Sequence, residues 1–181
     1  MSLFDTSIGR VGIAWAGSAV TSVQLPECDD AATLRAMANA VRTPVRHCST
    51  DSPVPPPIRR AIDAITSLLA GHQTDLNFVE IELPPSRSTP FERRVYDATR
   101  TIAPGESLTY GEVASLVGEP GAAQAVGQAL GANLIPLIIP CHRVLGAQGH
   151  LVGFSANGGV DTKRRLLLIE RCAGVAPSLF D

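Results

Sequence analysis

The run Ile138-Ile139-Pro140-Cys141-His142-Arg143-Val144 sets a cysteine beside a histidine and an arginine at the end of an apolar, strand-like stretch. The reactive form of cysteine is the thiolate, and neighbouring basic or cationic groups raise its population near neutral pH. Histidine is the side chain best matched to take up that proton near pH 7. Cys141 is therefore the candidate nucleophile and His142 its candidate base. Successive residues of an extended chain point to opposite faces, so direct contact between the two needs a local turn. A lone Cys-His pair is equally compatible with a buried structural thiol followed by two surface residues. The neighbouring motifs decide between these readings.

Those motifs occur in a fixed order. Upstream stand Tyr110-Gly111-Glu112-Val113-Ala114, Gly121-Ala122-Ala123-Gln124-Ala125-Val126-Gly127 and Gly131-Ala132-Asn133. Downstream stand Gly153-Phe154-Ser155, Gly158-Gly159, Lys163 and Leu166-Leu167-Leu168-Ile169-Glu170. The set resembles the O6-alkylguanine-DNA alkyltransferase family, closely from Phe91 to Glu170 and more loosely at Thr6-Ser7-Ile8-Gly9.

The resemblance implies direct, stoichiometric transfer of a methyl or other alkyl group from O6-alkylguanine, with O4-alkylthymine as a further substrate, to Cys141. It implies a bridging water between Cys141 and His142, and it makes Glu170 the carboxylate that orients His142, as in hydrolase triads. By itself Glu170 would read as a solvated helix end. Asn133 matches an asparagine that braces the active-site turn, and Arg143 an arginine that anchors backbone and belongs with the DNA-binding set. Tyr110 matches a tyrosine that helps rotate the target phosphate and can donate to guanine N3. A base inside a duplex is out of reach, so the nucleotide must be flipped into a pocket, and Phe154 and Ser155 match the loop that closes it. The chain departs from the pattern at Gln124, where relatives carry a stacking arginine, at Phe154, often tyrosine, and in a loop to Lys163 about two residues longer.

These residues must be positioned by a scaffold, and 181 residues suffice for one domain or two small ones with a real core. Apolar residues at 45% and charged residues at 18% describe a folded chain, and no apolar run approaches the ~20 residues of a membrane span. The N-terminus has no basic start followed by an apolar stretch, so a cytoplasmic protein is expected. The cysteines Cys28, Cys48, Cys141 and Cys172 read as free thiols there. Cys28, His47, Cys48 and His72 could in principle hold zinc, but their spacing matches no zinc pattern, and no metal is expected.

Short β-type runs at Val11–Ala16 and Val20–Leu25 flank a hairpin turn at Gly17-Ser18. Asp29 or Asp30 caps a helix to about Val41, with Leu34, Met37, Ala38 and Val41 on one face. A proline-rich loop, Ser49–Pro57, precedes a helix with Ile58, Ile62, Ile65 and Leu69 on one side. Phe78–Leu83 is expected as a third strand, and Pro84, Pro85 and Pro90 mark a boundary. The second half reads as short helices from Pro90, from Tyr110 capped by Thr109, and from Ala122, with a last one capped by Asp161 or Thr162. The middle pair, joined by a glycine-containing turn, fits a helix-turn-helix. Pattern alone favours ordinary packing of its small residues, and the resemblance favours a DNA-reading pair.

The expected fold is therefore α+β. Residues 1–88 form an N-terminal ribonuclease H-like α/β domain with a small antiparallel sheet, and residues 89–181 a mostly helical, winged helix-turn-helix-like domain. The resemblance implies double-stranded DNA containing alkylated guanine as partner, no membrane, a monomer, and no cofactor, since the substrate is itself the alkyl donor. The net charge of −2 is low for a DNA-binding protein, and basic and acidic residues balance from Phe91 onward, so binding should be modest and salt-sensitive. Two competitors stand beside this reading. One is a specialised or weakened alkyltransferase-like sensor of alkylated DNA, whose known forms lack the cysteine. The other is a cysteine hydrolase, which would turn over repeatedly.

Overall fold

The computed structural model describes residues 1–41 and 54–175. Three antiparallel strands in the order β1-β2-β3 form the sheet: β1 (Ser2–Thr6), β2 (Gly9–Ala16) and β3 (Ala19–Gln24). The hairpin at Gly17-Ser18 joins β2 and β3 as expected, with Gly17 in the left-handed conformation that a tight turn requires. Val11, Ile13, Val20 and Val23 are buried along these strands. Asp29 caps α1 (Asp30–Val41) by accepting from the Ala32 amide at 2.6 Å. Helix α1 lies on β2 and β3, and Gly12 leaves room there for the Met37 thioether.

Two expectations for this half fail. The third strand is Ser2–Thr6, not Phe78–Leu83. The later segment makes only one parallel rung against β3, through Val20 N to Glu80 O and Glu82 N to Val20 O, and Pro84-Pro85 ends any continuation. Helix α2 (Pro56–Leu69) begins inside the expected proline loop, because proline is tolerated in the first turn, where its missing N–H has no partner to lose. Its buried stripe of Ile58, Ala61, Ile65 and Leu68 packs towards β1 and β3.

The second half is built from helices. A Thr89–Glu92 capping box starts α3 (Pro90–Arg100), and a Thr109–Glu112 box starts α4 (Tyr110–Leu116). Helix α5 (Ala123–Gly131) follows the Glu119-Pro120-Gly121 turn, and Val113, Ala114, Val126, Ala129 and Leu130 bury the α4–α5 pair against α3. Two residues of β4 (Leu108–Thr109) run parallel to β5 (Val144–Leu145) and tie the base of α4 to the segment carrying Cys141. The last helix, α6 (Gly159–Ile169), starts three or four residues earlier than expected, with Gly158 and not Asp161 or Thr162 at its N-cap. Gly158, at φ 79°, turns the chain into it, while the Thr162 hydroxyl donates back to Asn157 O. The described residues thus form a mixed α/β fold with a small antiparallel sheet and six α-helices. None of these helices is long and apolar enough to cross a membrane.

Candidate active site

The apolar run before Cys141 is not a strand. Asn133 folds it into a closed loop: its Nδ2 donates to Ile139 O at 2.9 Å, and its Oδ1 accepts from the Ile135 amide at 2.9 Å. The backbone adds Ile139 N to Ile135 O and Cys141 N to Ile139 O. Leu137, buried inside the loop, is held at φ 72°, a conformation costly for a branched side chain and kept only by such over-determined surroundings. Both polar atoms of the Asn133 amide are thus bonded across this loop.

Residues Cys141–Arg143 form a single 3-10 turn, which removes the strict alternation of an extended chain. The thiol of Cys141 faces an open cleft of about 830 Å³ that Tyr110, Gln124, Gly127, Phe154 and Ser155 also line. His142 and Arg143 turn the other way, into the protein. His142 Nε2 lies 2.9 Å from Glu170 Oε1, and Arg143 grips the same carboxylate with Nε and Nη2, both at 2.8 Å. Arg143 Nη1 donates to Ile102 O at 2.6 Å. All three side chains are buried. Arg143 thus anchors backbone as expected, but its place among the DNA contacts is corrected: a guanidinium fully engaged in the interior has no face left for a phosphate.

Electrostatics assign the protons. Burial opposes ionisation of Glu170, yet His142 and Arg143 outweigh it and hold the carboxyl down at about 2. An ionised carboxylate can only accept, so Nε2 of His142 carries the hydrogen and donates it. Nδ1 then presents its lone pair, and it is buried with no hydrogen-bond partner among the described residues. Burial lowers the histidine's own affinity for a proton, although Glu170 works against that, so the ring rests neutral with Nδ1 as its basic atom. Burial likewise pushes the Cys141 thiol up, while Asn133, Lys163 and the backbone amides of the turn draw it back down.

Lys163 is the site residue that the sequence reading quoted without giving it a role. It is fully buried, and its Nζ donates to Val144 O at 2.6 Å and Val152 O at 3.1 Å. It also lies 5.6 Å from the centre of the Tyr110 ring. Burial pulls its ammonium down to about 8, against the opposing pull of Cys141. A signal for it existed: Lys163, Leu166, Leu167 and Glu170 recur at i, i+3, i+4 and i+7, so both charged members share one helix face with the leucines. Burial also pushes the Tyr110 hydroxyl up, with the charge of Cys141 adding to the effect, which keeps it a proton donor. Replacing Lys163 with methionine should move the pH midpoint of Cys141 alkylation by iodoacetamide upward, because the nearest cation is lost. It should also lower stability by about 1–3 kcal/mol, since the buried Val144 carbonyl and the partly buried Val152 carbonyl lose their donor. Peptide mass spectrometry across pH and a thermal melt read the two effects.

Tyr110, Gln124, Phe154 and Ser155 all line the same cleft as Cys141. Tyr110 stands at the start of α4 and is half-buried, and Gly127 lets α5 come up against its ring. Gln124 is exposed on α5, and Phe154 and Ser155 form the opposite lip of the cleft. Of the four zinc candidates, Cys28 and His72 are exposed, and His47 and Cys48 lie outside the described residues. Among the described residues no cluster of three or more His, Cys, Asp or Glu could hold a metal ion.

Comparison with known proteins places the chain in a family. Residues 90–172 match the family described as 6-O-methylguanine DNA methyltransferase, DNA binding domain. The methylated-DNA–protein-cysteine methyltransferase of Mycobacterium tuberculosis is 38% identical over 178 residues, which is 98% of this chain and 96% of that protein. The protein of the same name from Mycolicibacterium paratuberculosis is 44% identical over 122 residues, 67% of this chain and 70% of its own. Among solved structures, M. tuberculosis OGT in complex with DNA superposes with a TM-score of 0.70 at 36% identity, covering 99% of this chain and 98% of that one. The O6-methylguanine-DNA methyltransferase of Pyrococcus kodakaraensis gives 0.64 at 25% identity, covering 93% and 96%.

Proposed function

This chain belongs to the methylated-DNA–protein-cysteine methyltransferase family, and we propose that it repairs double-stranded DNA by taking the alkyl group of O6-alkylguanine onto Cys141, once per molecule. One observation carries the reading: Cys141 opens into a cleft large enough for a flipped base, with a buried His142–Glu170–Arg143 cluster directly behind it. The proton of Cys141 passes through a bridging water to Nδ1 of His142, and Glu170 stabilises the imidazolium that results. The thiolate attacks the alkyl carbon, the S–C bond forms as the C–O6 bond breaks, and the electron pair leaves with the guanine. The Tyr110 hydroxyl then supplies a proton to the base. The thioether is stable, so the protein is consumed and needs no cofactor. An intact-mass measurement after exposure to an O6-methylguanine duplex tests this.

In this reading residues 1–88 form a ribonuclease H-like domain and residues 89–181 a winged helix-turn-helix-like one, acting as a cytoplasmic monomer. Helices α4 and α5 are the DNA-reading pair, with α5 presenting Gln124 to the duplex, and Ser155 and Phe154 close over the flipped base. O4-alkylthymine is a further substrate of the same chemistry. A non-catalytic sensor does not need the buried relay behind Cys141, so the transferase reading is preferred. A hydrolase would release product repeatedly from one molecule.

Helix α5 carries no charged residue, and Gln124 stands where relatives carry a stacking cation. An amide fills the gap left by a flipped nucleotide less well than a guanidinium. Gln124→Arg should therefore raise the single-turnover rate on saturating duplex, where unstacking costs a few kcal/mol, and leave the rate on the free alkylated base unchanged. Saturation matters, because the added charge also strengthens DNA binding of every kind. An unchanged rate on saturating duplex would show that Gln124 does not limit flipping.

A further inference from the structure

The first half of the chain reaches the carboxylate end of the relay. Glu170 is the C-cap residue of α6, where the final carbonyls of a helix have no partner inside the helix. Gln73, in the loop after α2 and 97 residues earlier, donates from Nε2 to Glu170 O at 3.1 Å. Gly105 closes the same carbonyl from another side: a methyl group added there would lie 3.1 Å from Glu170 O, and its φ of 84° already favours glycine. Immediately after Glu170, Arg171 takes a left-handed φ of 58° and reverses the chain, with its amide on Leu168 O and that of Cys172 on Leu167 O. A non-glycine residue is kept there only when contacts around it hold the turn.

We propose that Gln73 is a positioning residue for the relay: by holding the Glu170 carbonyl, the N-terminal half fixes where the carboxylate meets His142 and Arg143. The inference rests on the relay described above, though its test does not require DNA. The physical reason is leverage. The carboxylate must meet Nε2 of His142 at 2.9 Å and Arg143 at 2.8 Å together, and a small rotation about the last residue of α6 cannot preserve all three bonds. Each hydrogen bond weakens steeply as its angle departs from linear. Loss of the carboxylate's grip makes His142 a poorer acceptor of the Cys141 proton through the bridging water, and so raises the pH at which Cys141 reacts.

Gln73 is largely exposed, so replacing it leaves the core intact. The test is the rate of Cys141 alkylation by iodoacetamide in the full chain across pH, read at Cys141 by peptide mass spectrometry. Other titrating groups near Cys141 are Tyr110 and Lys163, which the substitution does not touch. Gln73→Ala should slow the reaction at neutral pH by roughly three- to ten-fold, the scale of one hydrogen bond, and shift its midpoint upward. Gln73→Lys, which keeps a donor, should restore most of the rate, and Gly105→Ala should reproduce the loss by displacing the same carbonyl. Circular dichroism shows each variant folded at the assay temperature. An unshifted midpoint in folded Gln73→Ala, or equal slowing in the lysine and alanine variants, overturns the proposal. Methyl transfer to a different cysteine would instead overturn the reading of the reaction and leave this result standing.

Discussion

A Cys141→Ser variant exposed to a duplex carrying O6-methylguanine is expected to gain no methyl group at all, while the wild-type chain gains one, at Cys141. A serine hydroxyl is far more reluctant to lose its proton than a thiol, and His142 rests as a weak base in the interior. Loss of transfer by at least about a thousand-fold, the scale seen when catalytic nucleophiles are removed, is expected. The variant should remain folded and bind DNA, because serine is smaller than cysteine and can keep the interaction with Asn133, while Asn133 and the backbone hold the turn. Intact mass followed by peptide mapping reads the outcome. A methyl on Cys28, Cys48 or Cys172 in either protein would remove Cys141 from its role.

His142→Ala and Glu170→Gln should each slow transfer by roughly two to four orders of magnitude, the range of a general base and its partner. The double variant should be only slightly slower than the worse single, because groups that act as one unit do not add. Rates that multiply would show the two working independently. Glutamine is the informative replacement at 170. It keeps the shape and one oxygen that accepts from Arg143, whereas alanine would open a cavity as well. Either neutral residue leaves Arg143 buried without a counter-charge, a loss of about 3–5 kcal/mol, so the rates are compared at a temperature where a thermal melt shows each variant folded.

Some of the fold could be read from local chemistry alone. Asp29 before α1 and Thr109 before α4 cap helices through bonds made within three residues, so sequence specifies them directly. The hairpin at Gly17-Ser18 is local in the same way. Strand assignment fared worse where neighbours decide it. Phe78–Leu83 alternates weakly and has only one rung of β3 to pair with, while Ser2–Thr6 lies fully alongside β2. A strand needs a partner edge, and no property of the segment itself says where that edge will be.

The same division runs through the site. The sequence by itself determined which atoms could react: a cysteine beside a histidine, in a run of motifs specific enough to point to Glu170 and Tyr110 as well. What it could not decide was direction and burial. Whether His142 shares a face with Cys141, whether Arg143 meets solvent or Glu170, and whether Lys163 lies on the surface or beneath Tyr110 depend on a 3-10 turn and on a helix that begins 16 residues after that turn ends. Tertiary structure decided those points because the acidity of a group and the partner of a charge are set by what surrounds them in space, and burial makes an unpaired charge too costly to keep.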